Sequence, residues 1–271
     1  MGRDDEQGQG AVPGGGRSGE GVVMYRRPAA VGIAMLAIMT DAGADPISSL
    51  LQLDEPVVVV QQRTIVYRGE ITQSGVEEVK RLLDAAIDAR ELAIESGGGD
   101  VEAGLDLGGL ILKHGLDVRV TGDVCLSSCA NYVFVAGKSK IIEPGALVLW
   151  HGSMMQKNLL SNVDISSAET TLGRPLKWFE RWQSKRVISA WLKQIRRREA
   201  EFYRALDIDQ RITIYGQDVG CGCDWTFSVV DMGKFGLRNV VASESYGYSD
   251  YGRWSRPWKM LKVDSSLLEG K

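Results

Sequence analysis

In "GVEEVKRLLDAAIDAR", residues 75–90, Val76, Val79, Leu82, Leu83 and Ala86 recur at helical spacing with charged residues between them, which predicts an amphipathic helix. The stretch before it, "PVVVVQQRTIVYRGEIT" (56–72), is rich in β-branched residues and bounded by turn formers, so it predicts one or two strands. After it come a short strand "ELAIES", a tight "GGGD" loop and a mostly apolar helix over 101–114 that Gly115 stops. "LDVRVT" is the next strand. Strand, helix, strand, helix, strand with short Gly-rich joints predicts an α/β fold, a parallel sheet covered by helices and joined by right-handed crossovers. Next are a short buried helix in "SCANYVFVAG" and an apolar strand in "GALVLWHGS" that ends at His151.

From about residue 168 to 206 the pattern is helical again. Ile188, Trp191, Leu192, Ile195 and Phe202 mark an apolar side, and Arg181, Lys185, Arg186, Lys193 and Arg196 to Arg198 a basic one. Such a helix packs its apolar side on a core, or lies on an anionic membrane as a peripheral contact. The stretch 243–271 mixes Ser, Gly and Tyr without sustained periodicity and is expected to be a C-terminal extension.

Both ends of the region before residue 56 differ from this pattern. Residues 1–23 are rich in Gly and charge, with too few large apolar side chains to offset the entropy of ordering, so a disordered extension, or a start at Met24, is expected. "MYRRP" followed by the apolar "AAVGIAMLAIM" and by "AGA" at Ala42 to Ala44 reads as a signal peptide over 24–44. Its apolar run is too short to span a hydrocarbon core of roughly 30 Å. A periplasmic or secreted location follows, with membrane anchoring if the segment is uncleaved.

Composition narrows the function. The 271 residues carry a formal net charge of -3, which gives no electrostatic footprint for nucleic acid. Export lets thiols pair, so the clusters Cys125 with Cys129 and Cys221 with Cys223 predict disulfides, with three connectivities open. A four-thiolate zinc site competes, but its spacings fit zinc knuckles only loosely, and no metal is expected.

The chain has two histidines. His114 sits at a helix end, where an imidazole can bond the last carbonyls, a structural role. His151 ends a strand, the place where open α/β sheets bind ligands, and is the functional candidate. A serine nucleophile needs a base to take its proton and donors where negative charge develops. Ser128 opens a helix, where the Cys129 N–H is unpaired and can face an oxyanion, and the glycines at 97, 98 and 99 form a loop that lets backbone N–H groups approach a substrate.

In order and spacing, "IESGGGDVEAGLDL", "GDVCLSSCANYVFVAG" and "ALVLWHGS" resemble the Clp protease proteolytic subunit, within the wider Clp/crotonase superfamily. The resemblance runs from about residue 61 to 241 and implies a domain over 56–242. The implied fold is a spiral of parallel strands with flanking helices, to which the long basic helix is added. In that family a serine nine residues before the glycine of an Ala-Gly pair is the nucleophile. Counting back from Gly137 selects Ser128. His151 is then the base, and the layout of "DWTFSVVDMGKFGL" assigns the acid to Asp224, with Asp218 or Asp209 as alternatives. Oxyanion donors would be the N–H groups of Gly98 or Gly99 and of Cys129.

The family's loop carries a proline where this chain has Gly97. The exported signal peptide peptidase A is a related family with a Ser-Lys pair, for which Lys138 and Lys140 are the candidates here. The expectation is an exported serine hydrolase acting on a peptide or other acyl substrate, without a cofactor and without an ATP-driven partner. The alternative is a non-catalytic exported binding or assembly module. Relatives assemble into rings, so a homo-oligomer is implied, its symmetry open. A disulfide from Cys221 or Cys223 to Cys125 or Cys129 would pin the acid's loop against the nucleophile's.

Overall fold

The computed structural model describes residues 55–85, 88–157, 159, 174–247 and 256–268. The expected extension at 1–23, the signal peptide at 24–44 and the first residues of the helical stretch from 168 lie outside the described residues.

Strands β1 (Val57–Gln61) and β2 (Thr64–Arg68) form an antiparallel hairpin. Helix α1 (Gln73–Asp84) starts where the Thr72 hydroxyl accepts the Gly75 N–H at 3.1 Å, satisfying one of the unpaired donors of the first turn. It buries Val76, Val79, Leu82 and Leu83 of the stripe read from the sequence; Ala86, the fifth member, lies outside the described residues. β3 (Glu91–Ser96) lies parallel to β2. Helix α2 (Val101–His114) is capped by Asp100, whose carboxylate accepts the Ala103 N–H at 2.7 Å, and is closed by Gly115 in the left-handed region, with φ 63°. His114 is the last residue of that helix, as expected.

β4 (Asp117–Leu126) is the axis of the molecule. Its first half pairs with β3 on one edge and with β5 (Lys140–Ile142) on the other. Gly122 then takes φ 63°, the register with β3 shifts, and the second half, Val124 to Leu126, pairs with β6 (Leu147–Leu149) instead. A residue out of register bends and twists a strand, and this bend lets one edge serve two successive neighbours. The result is a seven-stranded, mostly parallel sheet in the order β1-β2-β3-β4-β5-β8, with β6 on β4. The fold is α/β, with helices covering the sheet.

Beyond β6, helix α3 (Trp178–Leu206) buries Leu192, Ile195, Glu199 and Tyr203 against the body. Then come α4 (Tyr215–Asp218), β7 (Asp224–Phe227), α5 (Val229–Lys234) and β8 (Val240–Val241), which pairs with β5. Part of the stretch expected as a C-terminal extension returns to the body: β9 (Trp258–Leu261) pairs in parallel with β7, and Tyr246 and Val263 are buried. Trp150 and Trp225, both fully buried, exchange two backbone hydrogen bonds of 2.8 Å across an antiparallel bridge that joins the two sheets. Among the described residues, no helix is long and apolar enough to cross a membrane.

Candidate active site

Four elements meet at the carboxyl ends of β3, β4 and β6. β4 ends at Leu126, and the next residue, Ser127, takes φ 60°, a left-handed conformation that costs an ordinary side chain on the order of 1–3 kcal/mol. The Leu149 carbonyl accepts the Ser127 N–H at 3.3 Å, and a disulfide between Cys125 and Cys129 closes over the turn. A sharp strand-to-helix turn of this kind lifts a serine hydroxyl clear of the sheet.

That hydroxyl is set against the histidine. Ser127 Oγ lies 2.9 Å from His151 Nε2. Ser128, the serine selected by counting, points elsewhere: it is 2% exposed, and its hydroxyl donates to the Gly99 carbonyl at 2.8 Å. The reason is the helix that follows. Cys129–Phe134 is a π-helix, whose wider turn takes up one residue more than an α-turn would. Ser127 is therefore ten residues from Gly137 by sequence, and the count of nine falls one residue late.

The glycine loop passes directly over this turn. Gly98 has φ 106°, and a Cβ there would come within 2.6 Å of the Ser127 Cβ, so only glycine allows the approach. Its N–H is held by the Ser96 hydroxyl at 3.1 Å, which takes it away from the oxyanion role expected for it. Gly99 is bridged to Ile71 on one side and holds Ser128 on the other. Cys129 lies two residues past Ser127, buried as the first residue of the π-helix.

His151 is partly buried and is fixed at its backbone from two directions. Gln217 Nε2 donates to its carbonyl at 3.1 Å, and Asn131 Nδ2 donates to the next carbonyl, that of Gly152, at 2.9 Å. Asn131 is itself gripped by α3, where the Tyr203 hydroxyl donates to its carbonyl at 2.6 Å. The Trp150–Trp225 bridge then positions Asp224. In an antiparallel pair the residues on either side of a bridge also face each other, so His151 stands opposite Asp224. Asp224 is 4% exposed, and Arg256, from the C-terminal segment, places Nε 3.7 Å from its carboxylate. His151, Asp224, Arg256 and the Cys221–Cys223 loop line one cleft of about 310 Å³.

The other acids considered are engaged elsewhere. Asp218 pairs with Lys157 at 3.3 Å, and Asp209 caps the turn Gln210–Thr213 while clamping the Arg211 guanidinium. Neither lysine of a Ser-Lys scheme is set against Ser127. Lys140 pairs with Val118 at the far end of β4, and its ammonium donates to the carbonyls of Gly137 at 2.6 Å and Arg238 at 3.2 Å. Burial pulls the Lys140 pKa down to about 8, but its ammonium is spent on these two carbonyls rather than on a serine. The disulfides form inside each cluster, Cys125–Cys129 and Cys221–Cys223, each with Cα atoms 5.2 Å apart, inside bonding range. Of the three connectivities left open this is the one within clusters, so no disulfide ties the Cys221–Cys223 loop to the Cys125–Cys129 turn.

Burial lowers the His151 pKa below its ordinary 6.5; the Asp224 charge opposes this and the Arg256 charge adds to it. A protonated imidazole cannot accept the Ser127 proton. The rate of any reaction that uses His151 as base should therefore climb with pH through a value below 6.5 and be flat across neutrality. A kcat/KM profile with its acidic limb centred above 6.5 would contradict this.

No protein-family model matches the chain, and no curated protein matches it. Among solved structures it is similar to a mutant of ClpP1 from Listeria monocytogenes, at 21% identity, with a TM-score of 0.40, over 68% of this chain and 94% of that one. It is also similar to a methylmalonyl-CoA decarboxylase complexed with 2S-carboxypropyl-CoA, at 10% identity and a TM-score of 0.27. The likeness to the decarboxylase covers 34% of this chain and spans about half the length of that one, 48%.

Proposed function

We propose that the chain is an exported serine hydrolase acting on peptides or other acyl substrates. The observation that carries this reading is the 2.9 Å contact between Ser127 Oγ and His151 Nε2 on a turn held in a left-handed conformation. Ser127 Oγ attacks the substrate carbonyl while His151 takes its proton, and the new C–O bond leaves negative charge on the carbonyl oxygen. The N–H groups of Gly99 and of Ser128, the residue after the nucleophile, are the donors for that oxyanion. Each such donor is worth on the order of 100-fold or more in rate. His151 then gives the proton to the leaving amine or alcohol as the acyl bond breaks, and water hydrolyses the acyl-serine by the same route in reverse. Asp224 holds the imidazole in the tautomer that leaves Nε2 facing Ser127 and stabilises the imidazolium.

Export is supported by the leader-like sequence at 24–44 and by the pairing of all four cysteines, which suits an oxidising compartment. A fluorophosphonate probe should label the protein, and peptide mapping should place the adduct on Ser127. Absence of labelling at neutral pH, or an adduct on another residue, would refute the assignment.

A further inference from the structure

Among the described residues, the first half of α3 is unlike the other α-helices. None of residues 177–190 is buried. These fourteen residues span roughly 20 Å at 1.5 Å each and stand away from the core. An isolated helix of that length is marginal in water, so tertiary or other contacts normally supply its stability. Here the support among the described residues is local. Glu180 accepts the Lys177 N–H at 2.8 Å and is clamped by Arg174 through two bonds of 2.7 Å.

The side chains on this segment are of two kinds. Trp178 is 83% exposed, Phe179 52% and Trp182 53%, three large rings gathered in little more than one turn. Farther along the same side, Lys185, Arg186 and Lys193 are exposed, and the Arg186 guanidinium lies 4.7 Å over the Trp182 ring. From residue 177 to 198 there are eight Lys or Arg and one acid, Glu180, already bound to Arg174. Arg196 and Arg198 turn inward, to the Met154 carbonyl at 2.6 Å and to Asp106 at 2.6 Å. Arg197 pairs with Glu201 at 2.8 Å and Arg181 donates to the Leu176 carbonyl at 3.1 Å, so the exposed cations beside the rings include Lys185 and Arg186.

We propose that this face of α3 is a docking surface for an anionic lipid membrane. Indole rings favour the level of the headgroups, where their apolar body and N–H are both satisfied, and the cations beside them match acidic headgroups. A leader-like apolar run flanked by Arg26 and Arg27, which precedes the domain, would bring the chain to such a surface. A second copy of the chain fits less well. A two-fold contact centred on this face would bring two copies of one basic cluster into a single small interface, where like charges repel. This inference stands apart from the hydrolase reading and uses none of its residues.

The test is sedimentation of the full chain with vesicles of phosphatidylcholine alone or mixed with phosphatidylglycerol, reading partition and tryptophan fluorescence. Binding should require the acidic lipid, weaken with salt, and blue-shift the emission. Lys185→Glu combined with Arg186→Glu, and separately Trp178→Ala combined with Trp182→Ala, should each lower partition by about 10-fold. All four side chains are exposed, so the circular dichroism of both variants should match that of the unaltered chain. Equal partition of unaltered chain and variants, or equal binding to both lipids, would overturn the proposal. So would light scattering that shows a dimer lost in the Trp178→Ala, Trp182→Ala variant, since the face would then belong to a second copy.

Discussion

Ser127→Ala should abolish fluorophosphonate labelling and cut kcat/KM by at least about 10³-fold, whereas Ser128→Ala should keep most of both. The two serines are adjacent and chemically identical, so the contrast isolates geometry. Ser127 has its hydroxyl on the imidazole and its backbone in a left-handed turn. Ser128 spends its hydroxyl on the Gly99 carbonyl and is packed against α2, where a Cβ at Gly104 would come within 3.1 Å of its own Cβ. Losing that hydroxyl removes one bond to the glycine loop, a change of about 1–3 kcal/mol in stability, and leaves the Ser128 N–H in place. The opposite ranking, with Ser128→Ala dead and Ser127→Ala active, would return the nucleophile to the residue reached by counting.

Asp224→Asn should lower kcat by about 10⁴-fold while leaving the fold intact, because the amide preserves size and can still bond but favours the wrong tautomer of the imidazole. The Asp224 charge also opposes the fall in the His151 pKa that burial causes. Its removal should therefore move the acidic limb of whatever activity survives to still lower pH. Asp218→Asn, which only loses a partner of the exposed Lys157, is the control and should change kcat by less than about 10-fold. A variant at Asp224 with full activity, or a limb that moves to higher pH, would remove it from the mechanism.

The alternation of helices and strands was plain in the chain because each buries one stripe or one face. The stripe Val76, Val79, Leu82, Leu83 is buried as read, and Gly115 stops its helix as read. His151 could be chosen from two histidines because a strand end and a helix end give an imidazole different work. Counting reaches Ser128 and not Ser127, the serine whose hydroxyl meets His151, because spacing arguments assume a constant number of residues per turn, and a π-turn breaks that assumption without any mark in composition. Asn131 and Arg256 were missed for another reason. Asn131 acts on Gly152, 21 residues away, and Arg256 acts on Asp224 from a segment whose short, half-exposed strand leaves no periodic trace. The outward-facing rings of α3 were legible as residues but not as a surface, since a sequence shows which side chains are apolar and not which of them the body leaves uncovered.

The pairing of β7 with β9 gives the site a property that its distances alone do not express. Asp224 sits on a strand whose parallel neighbour, Trp258–Leu261, lies more than thirty residues farther along the chain, and Arg256 arrives with that neighbour. Ser127, His151 and Asp224 are thus all synthesised before the segment that packs beside Asp224. A growing chain, or one clipped ahead of β9, holds every reactive group and an unfinished site. On the proposed function, the order of synthesis delays completion of the site until the closing strand has been made.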